Sequence, residues 1–255
     1  MRINHNITAL NNHRNMSLNN VATGKNMEKL SSGLRINRAG DDAAGLAVSE
    51  KMRGQIRGLE QAQRNVQDGI SFVQTAEGAM NEVSAMLTRM KELHVQRANG
   101  TYTTSQKANI DVELNALSSQ IDSIMDNTTF NGINITSTIS IQADDNKVTI
   151  SISGIATTSF YGLATSAGIS GIETAIEAVS TQRAQLGAMQ NRLEYTSNNL
   201  GTTIENLTAS ESRIRDTDMA KEMVELSKNQ ILLQSSQAML AQANSAPQGV
   251  LSLLR

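Results

Sequence analysis

The stretch Ile172–Ile214, IETAIEAVSTQRAQLGAMQNRLEYTSNNLGTTIENLTASESRI, decides how this chain is read. Every seventh residue from its start gives Ile172, Val179, Leu186, Leu193, Leu200, Leu207 and Ile214, with no polar residue among them. Ile176 and Ile204 fill half-heptad positions, while Arg183, Gln190, Ser197 and Glu211 occupy the others, so the apolar seam is narrower than that of a strict two-position coiled coil. A helix of this length runs roughly 64 Å at about 1.5 Å per residue and cannot bury such a seam against itself. It requires other helices.

Composition points the same way. The chain of 255 residues has no Trp, three Phe (Phe72, Phe130, Phe160), three Tyr and one Pro, so the bulky side chains that fill a thick core are missing. Ala, Leu, Ile, Val and Met must do the packing, which suits thin bundles of long, uninterrupted helices. A net charge of -2 gives no electrostatic footprint for nucleic acid or for an anionic membrane surface. The absence of Cys excludes disulfides and thiolate metal sites and leaves the compartment open. The opening Met1-Arg-Ile-Asn-His-Asn-Ile has no apolar signal core, and no run of about eighteen apolar residues suggests membrane insertion. Any export therefore proceeds without a cleaved signal of the general secretory type.

Outward from the seam, apolar residues recur from Ile3 to about Leu34 through Ile7, Leu10, Met16/Leu18, Val21, Met27 and Leu30, broken by many Asn and Ser. A helix here is marginal alone and orders against a partner. Gly33 is placed to end it, and Asp41 or Asp42 to cap the next. That second helix runs from about Ala43 to Asn99 on Met52, Ile56, Leu59, Val66, Ile70, Val73, Ala76, Met80, Val83, Leu87 and Met90. Thr103 with Gln106 reads as a capping box for a return helix carrying Ile110, Leu114, Leu117, Ile121 and Ile124. The period then changes to two: Ile139, Ile141, Val148, Ile150 and Ile152 flank Asp144-Asp145-Asn146 as a β-hairpin. Ala156 to Ile169 reads as loop with at most one more short strand. After a joint near Arg215-Asp216, a last helix carries Met219, Leu226, Leu233 and Leu240, with Met223, Val224 and Ile231 beside them. It runs to about Ala246, where Pro247 kinks it before the apolar tail Val250-Leu251-Ser252-Leu253-Leu254-Arg255. The expected fold is mainly α: a long antiparallel helical rod or coiled coil, a small β-hairpin region at its tip, and terminal helices packing at its base. The expected domains are 1–42 with 216–255 (terminal helices and joints), 43–130 with 171–215 (rod), and 131–170 (hairpin region).

Several segments together resemble bacterial flagellin: Met1-Arg-Ile-Asn-His-Asn; Lys29-Leu-Ser-Ser-Gly-Leu-Arg-Ile-Asn-Arg-Ala-Gly-Asp-Asp-Ala-Ala-Gly45; Arg89-Met-Lys-Glu-Leu-His-Val-Gln96; Thr129-Phe-Asn-Gly132; Glu211-Ser-Arg-Ile-Arg-Asp216; and Ala241-Gln-Ala-Asn to Val250-Leu-Ser-Leu-Leu-Arg255. The resemblance covers essentially the whole chain. It implies an extracellular filament subunit, exported unfolded by the flagellar type III apparatus, whose termini form the inner tubes and whose rod forms the next shell. Only 131–170 separates the halves, so this resembles a short form without outer domains. The resemblance further implies a homopolymer, an export chaperone on the C-terminal helix, hook-associated and cap proteins as partners, and no cofactor. It carries recognition by Toll-like receptor 5 onto Arg89, Leu93 and Glu113; His94 and Arg97 depart from the small or neutral residues common beside that motif. Subunit packing falls to Ile3, Ile7, Leu10, Arg35, Arg38, Leu226, Leu233, Leu240, Leu251 and Leu254.

Less specific features have ordinary readings. His5, His13 and His94 lack helical metal-pair spacing and read as polar or packing residues. Asp41-Asp42 reads as caps rather than a cation site, and Asp144-Asp145-Asn146 as a turn lacking the distal Glu of a calcium loop. Arg35 and Arg38 are either a surface charge run or intersubunit ion pairs, the second being favoured. Sequons at Asn127 and Asn206 are ordinary in so Asn- and Thr-rich a chain. No nucleophile–base pair, phosphate loop or CxxC supports catalysis. The rivals are a hook–filament junction protein and a chemoreceptor-type helical hairpin, the latter requiring a membrane span and an uninterrupted helical tip.

Overall fold

A computed structural model describes residues 6–145, 148–163 and 167–253, with side chains through 245. Ile3 and Leu254, the side chain of Leu251, and Asn146 of the hairpin turn lie outside the described residues. Five helices carry the chain: α1 (Ile7–Ser32), α2 (Ala43–Ala98), α3 (Thr104–Asn127), α4 (Gly168–Arg215) and α5 (Met219–Leu253). Between α3 and α4 lie β1 (Thr129–Phe130), β2 (Ile133–Asn134), β3 (Ile139–Gln142) and β4 (Thr149–Ile152). The chain divides into a unit of Met1–Gly54 with Leu207–Arg255 and a unit of Gln55–Asn206. Helices α2 and α4 contribute to both.

The second unit holds the apolar core. Leu59, Val66, Ile70, Val73, Ala76, Met80, Val83, Leu87 and Met90 of α2 are buried, as are Ile172, Val179, Leu186, Leu193 and Leu200 of α4. The ion pairs Lys91–Glu173 at 2.9 Å and Arg183–Glu77 at 3.8 Å show α4 running antiparallel to α2. Leu207 and Ile214, in the first unit, are half-buried, so the seam is sealed only through Leu200.

Helix α3 starts where its capping box places it: Gln106 N–H donates to Thr103 Oγ1 at 3.4 Å, and Thr103 N–H to Gln106 Oε1 at 2.9 Å. Its buried face is rotated from the expected stripe. Ser118 and Met125 are buried, whereas Leu117 and Ile124 are half-buried. Positions 114, 118, 121 and 125 line one face as well as 114, 117, 121 and 124 do, and the unbranched Met125 fills the deeper site.

The hairpin forms as read, with Ile139 opposite Ile152 and Ile141 opposite Ile150. It packs on α2 where Gly69 leaves room; a Cβ there would collide with Ile141 Cδ1. A second hairpin, β1–β2, turns on Asn131 (φ 50) and Gly132 (φ 78), the positive-φ pair that a two-residue turn demands. Phe130 meets Phe72 edge-on with ring centroids 6.2 Å apart. Among the described residues between 156 and 167 there is no further strand. A turn there buries Phe160 completely.

One local expectation is overturned. Helix α5 does not stop near Ala246 but continues past Pro247 to Leu253. Pro247 has no N–H for the carbonyl of Ala243, and the side-chain amide of Asn6 supplies a donor there at 2.7 Å.

Candidate functional site

Three arrangements stand apart from ordinary core packing. The first is the double joint of the first unit. Helix α1 ends on Gly33, whose φ of 72° lets its N–H donate to Lys29 O at 2.8 Å. The chain beyond it pairs with the α4–α5 joint: Leu34 bridges Asp216, Arg35 N–H donates to Arg215 O at 2.7 Å, and Thr217 N–H to Gly33 O at 3.0 Å. Ile36, 1% exposed, anchors the loop. Asp41 Oδ2 accepts from the backbone N–H of Arg38 at 3.1 Å and then of Asn37 at 3.2 Å, which together hold its carboxyl pKa below the usual carboxylate range. Asp42 Oδ1 accepts from Gly45 N–H at 2.9 Å and caps α2. Both acids therefore serve the turn and the cap. Arg38 pairs with Glu28 at 2.9 Å, Arg35 donates to Ile214 O, and the largely buried Arg215 pairs with Glu50 at 2.7 Å. The two arginines expected between subunits thus have partners within their own chain.

The second arrangement is the face structure of α1 and α5. Residues Ala9, Asn12, Met16, Asn19, Thr23, Asn26 and Leu30 of α1 are buried or half-buried and share one face, as do Glu222, Leu226, Asn229, Leu233, Ser236, Leu240 and Ala243 of α5. Both sets step three and four, and the two helices pack on each other antiparallel, with Lys29 beside Glu222 at 3.8 Å and Asn6 on Ala243. Asn26 sits between Glu222 and Asn229, its amide turned to donate to Glu222 Oε1 at 3.1 Å and accept from Asn229 Nδ2 at 3.1 Å. The α1 side of this face is largely Asn and Thr, with Met16 and Leu30, and the α5 side brings Leu226, Leu233 and Leu240 to it. Other large apolar side chains point away: Ile7, Leu10, Leu18 and Val21 share the opposite face of α1, and Val224 and Ile231 that of α5. Leu10 is 75% exposed and Ile231 66%. Of the packing residues read from sequence, Leu226, Leu233 and Leu240 thus face α1, whereas Ile7 and Leu10 face outward. The polar ladder went unread, although Asn12, Asn19 and Asn26 recur every seventh residue.

The third lies on α2 and α3. Arg89 Nε and Nη2 both donate to Glu113 Oε1, at 3.1 and 3.0 Å, and Nη1 reaches Glu92 at 3.1 Å. These exposed groups form one patch. Leu93 does not join it: the side chain expected to face a receptor is 1% exposed. It continues the inward sequence Val83, Leu87, Met90, whereas Arg89 points the other way. One residue on, His94 is buried near the Arg97–Asp111 ion pair (2.6 Å), with no partner for Nε2.

Among the described residues no group of His, Asp or Glu could hold a metal ion, and no helix is long and apolar enough to cross a membrane. The family model of the bacterial flagellin N-terminal helical region matches residues 3–140, and that of the C-terminal helical region matches 169–254. A flagellin of Bacillus subtilis is 50% identical over 304 aligned residues, and one of Halalkalibacterium halodurans 52% over 273, each across the whole of both chains. The crystal structure of Bacillus cereus flagellin superposes with a TM-score of 0.48 at 32% identity, covering 54% of this chain and 88% of that one. With both family models matched in order and the first two relatives aligned end to end over more positions than its own 255 residues, the chain belongs to the bacterial flagellin family as a short form.

Proposed function

We propose that this chain is a structural subunit that polymerises with copies of itself into a flagellar filament. The observation that carries this reading is the outward apolar face of α1 and α5. Two helices that pair through Asn12, Asn19, Thr23, Leu226 and Leu233 while turning Leu10, Val21, Val224 and Ile231 toward water leave apolar surface that a second copy can cover. In this reading 1–42 and 216–255 form the inner tubes. Residues 43–130 and 171–215, with 131–170, form the shell around them.

The same exposed residues account for the remaining partners. Before assembly, Met223, Val224 and Ile231 need cover, which the export chaperone provides on α5. The chain is exported unfolded, and hook-associated and cap proteins meet the polymer ends. Toll-like receptor 5 engages the exposed Arg89–Glu113 patch, with Leu93 supporting it from the core.

Electron microscopy and sedimentation under salting-out conditions test this. The full chain forms filaments, and a chain reduced to 43–215 remains a soluble helical monomer. Filaments from the shortened chain would reject the assignment of assembly to the ends.

A further inference from the structure

Twelve methionines and no cysteine make thioether sulfur the most readily oxidised group in this chain. The structure sorts these side chains by environment. Met80, Met90 and Met125 of the second unit are fully buried at 0% exposure. Met27 of α1 and Met219, Met223 and Met239 of α5 are 53%, 47%, 52% and 56% exposed, and among the described residues every methionine this open lies on a terminal helix.

We propose that Met27, Met219, Met223 and Met239 are sites of reversible oxidation by hydroperoxides, and that their sulfoxidation excludes a subunit from its polymer. The proposal rests on the assembly reading above, because a sulfoxide does harm only where a second copy buries it. In the reaction the sulfur lone pair attacks the distal peroxide oxygen. The S–O bond forms as the O–O bond breaks, sulfur loses two electrons, and the other peroxide oxygen leaves with the proton of the transferred one, as water from hydrogen peroxide or as an alcohol from an organic hydroperoxide. A flexible apolar side chain thereby becomes a polar one.

The consequence follows from burial. On an unassembled subunit the S=O group is hydrated and costs nothing. Against a neighbouring apolar helix it loses that water without gaining a donor, which lowers incorporation roughly tenfold per buried sulfoxide. Met80, Met90 and Met125 are shielded by the fold itself and serve as internal references.

The experiment is a partition. The purified full chain is treated with hydrogen peroxide to partial oxidation, polymerised under salting-out conditions, and separated into filament and supernatant. Sulfoxide at each methionine is then read by mass spectrometry. The expected result is oxidation at the four exposed sites well ahead of the three buried ones. Sulfoxide at the exposed sites is enriched about tenfold in the supernatant, and methionine sulfoxide reductase returns that fraction to polymerisation. Equal sulfoxide at these sites in both fractions overturns the proposal, as does supernatant that stays inert after reduction with its circular dichroism unchanged. Failure of the untreated chain to polymerise removes the assembly reading instead, and the proposal with it.

Discussion

The side-chain amide of Asn6 donates to the carbonyl of Ala243 at 2.7 Å, across 237 residues of chain, and that carbonyl is the one Pro247 cannot serve. The same Asn6 uses its Oδ1 to accept from Ala9 N–H at 3.1 Å, so one side chain caps α1 and repairs α5. Asn6→Ala should cost about 1–3 kcal/mol, combining a lost cap with an orphaned carbonyl. In a Pro247→Ala background α5 regains its own N–H donor, and the same substitution should cost only the cap. Denaturant unfolding of the four chains checks this. Equal costs in both backgrounds would show that the Asn6 contact repairs nothing.

Burial first, and the Arg97 guanidinium second, hold the His94 imidazole below the ordinary histidine pKa, while Asp111 acts in the opposite direction. The folded state therefore favours the neutral ring, while the unfolded chain protonates near about 6.5. This contribution to stability is complete above that value and is lost as pH falls from it toward the depressed folded pKa. Melting temperature should drop between about pH 7 and 5, and His94→Gln should flatten the drop. Parallel curves for the two chains would contradict the assignment.

Most of the helical layout was legible because helices are announced locally. Gly33, Asp42 and the Thr103–Gln106 box each act within four residues, and the α4 seam shows its period without reference to any partner. What was illegible depends on something distant. Pro247 reads as a helix end because Asn6 lies at the other end of the sequence. How α1 divides into two faces was illegible because a broken apolar stripe does not say which partner covers it: Ile7 and Leu10 point to water, and the Asn12–Asn19–Asn26 ladder faces α5. The β1–β2 turn was missed despite its Asn131-Gly132 signature, since strands of two residues carry no alternation to read.

Leu193 and Tyr195 are two residues apart and on opposite sides of α4. Leu193 is fully buried in the seam, and Tyr195 is 76% exposed. Leu193→Ala should destabilise by about 2–5 kcal/mol through the cavity it leaves, and Leu200→Asp should disrupt the unit by burying an unpaired charge. Tyr195→Ala should stay within about 0.5 kcal/mol. Comparable losses at Leu193 and Tyr195 in thermal melting would reject the seam.

The Arg89–Glu113 patch and Leu93 should separate in the same way. Glu113→Ala removes one exposed ion pair and Arg89→Ala that pair and the one to Glu92; both should leave melting nearly unchanged while lowering Toll-like receptor 5 signalling. Leu93→Ala should cost about 2–5 kcal/mol and reduce signalling in step with the fraction unfolded. A Leu93 variant with unchanged melting and abolished signalling would show that Leu93 itself meets the receptor.

The outward face of the terminal helices can be tested without disturbing the monomer. Leu10 and Ile231 contribute little to the monomer, because both already lie in water. Leu10→Asp or Ile231→Asp should therefore leave monomer melting within about 0.5 kcal/mol of the parent chain. In a polymer, the new carboxylate would be buried against a neighbouring copy without a partner, at a cost that halts assembly. Thr23 and Asn26 sit on the opposite, inward face, so Asn26→Leu should show the reverse pattern: it breaks the contacts to Glu222 and Asn229 and lowers monomer stability first. Sedimentation alongside thermal melting distinguishes the two. Filaments of normal yield from the Leu10→Asp chain would place its apolar face outside the contact between copies.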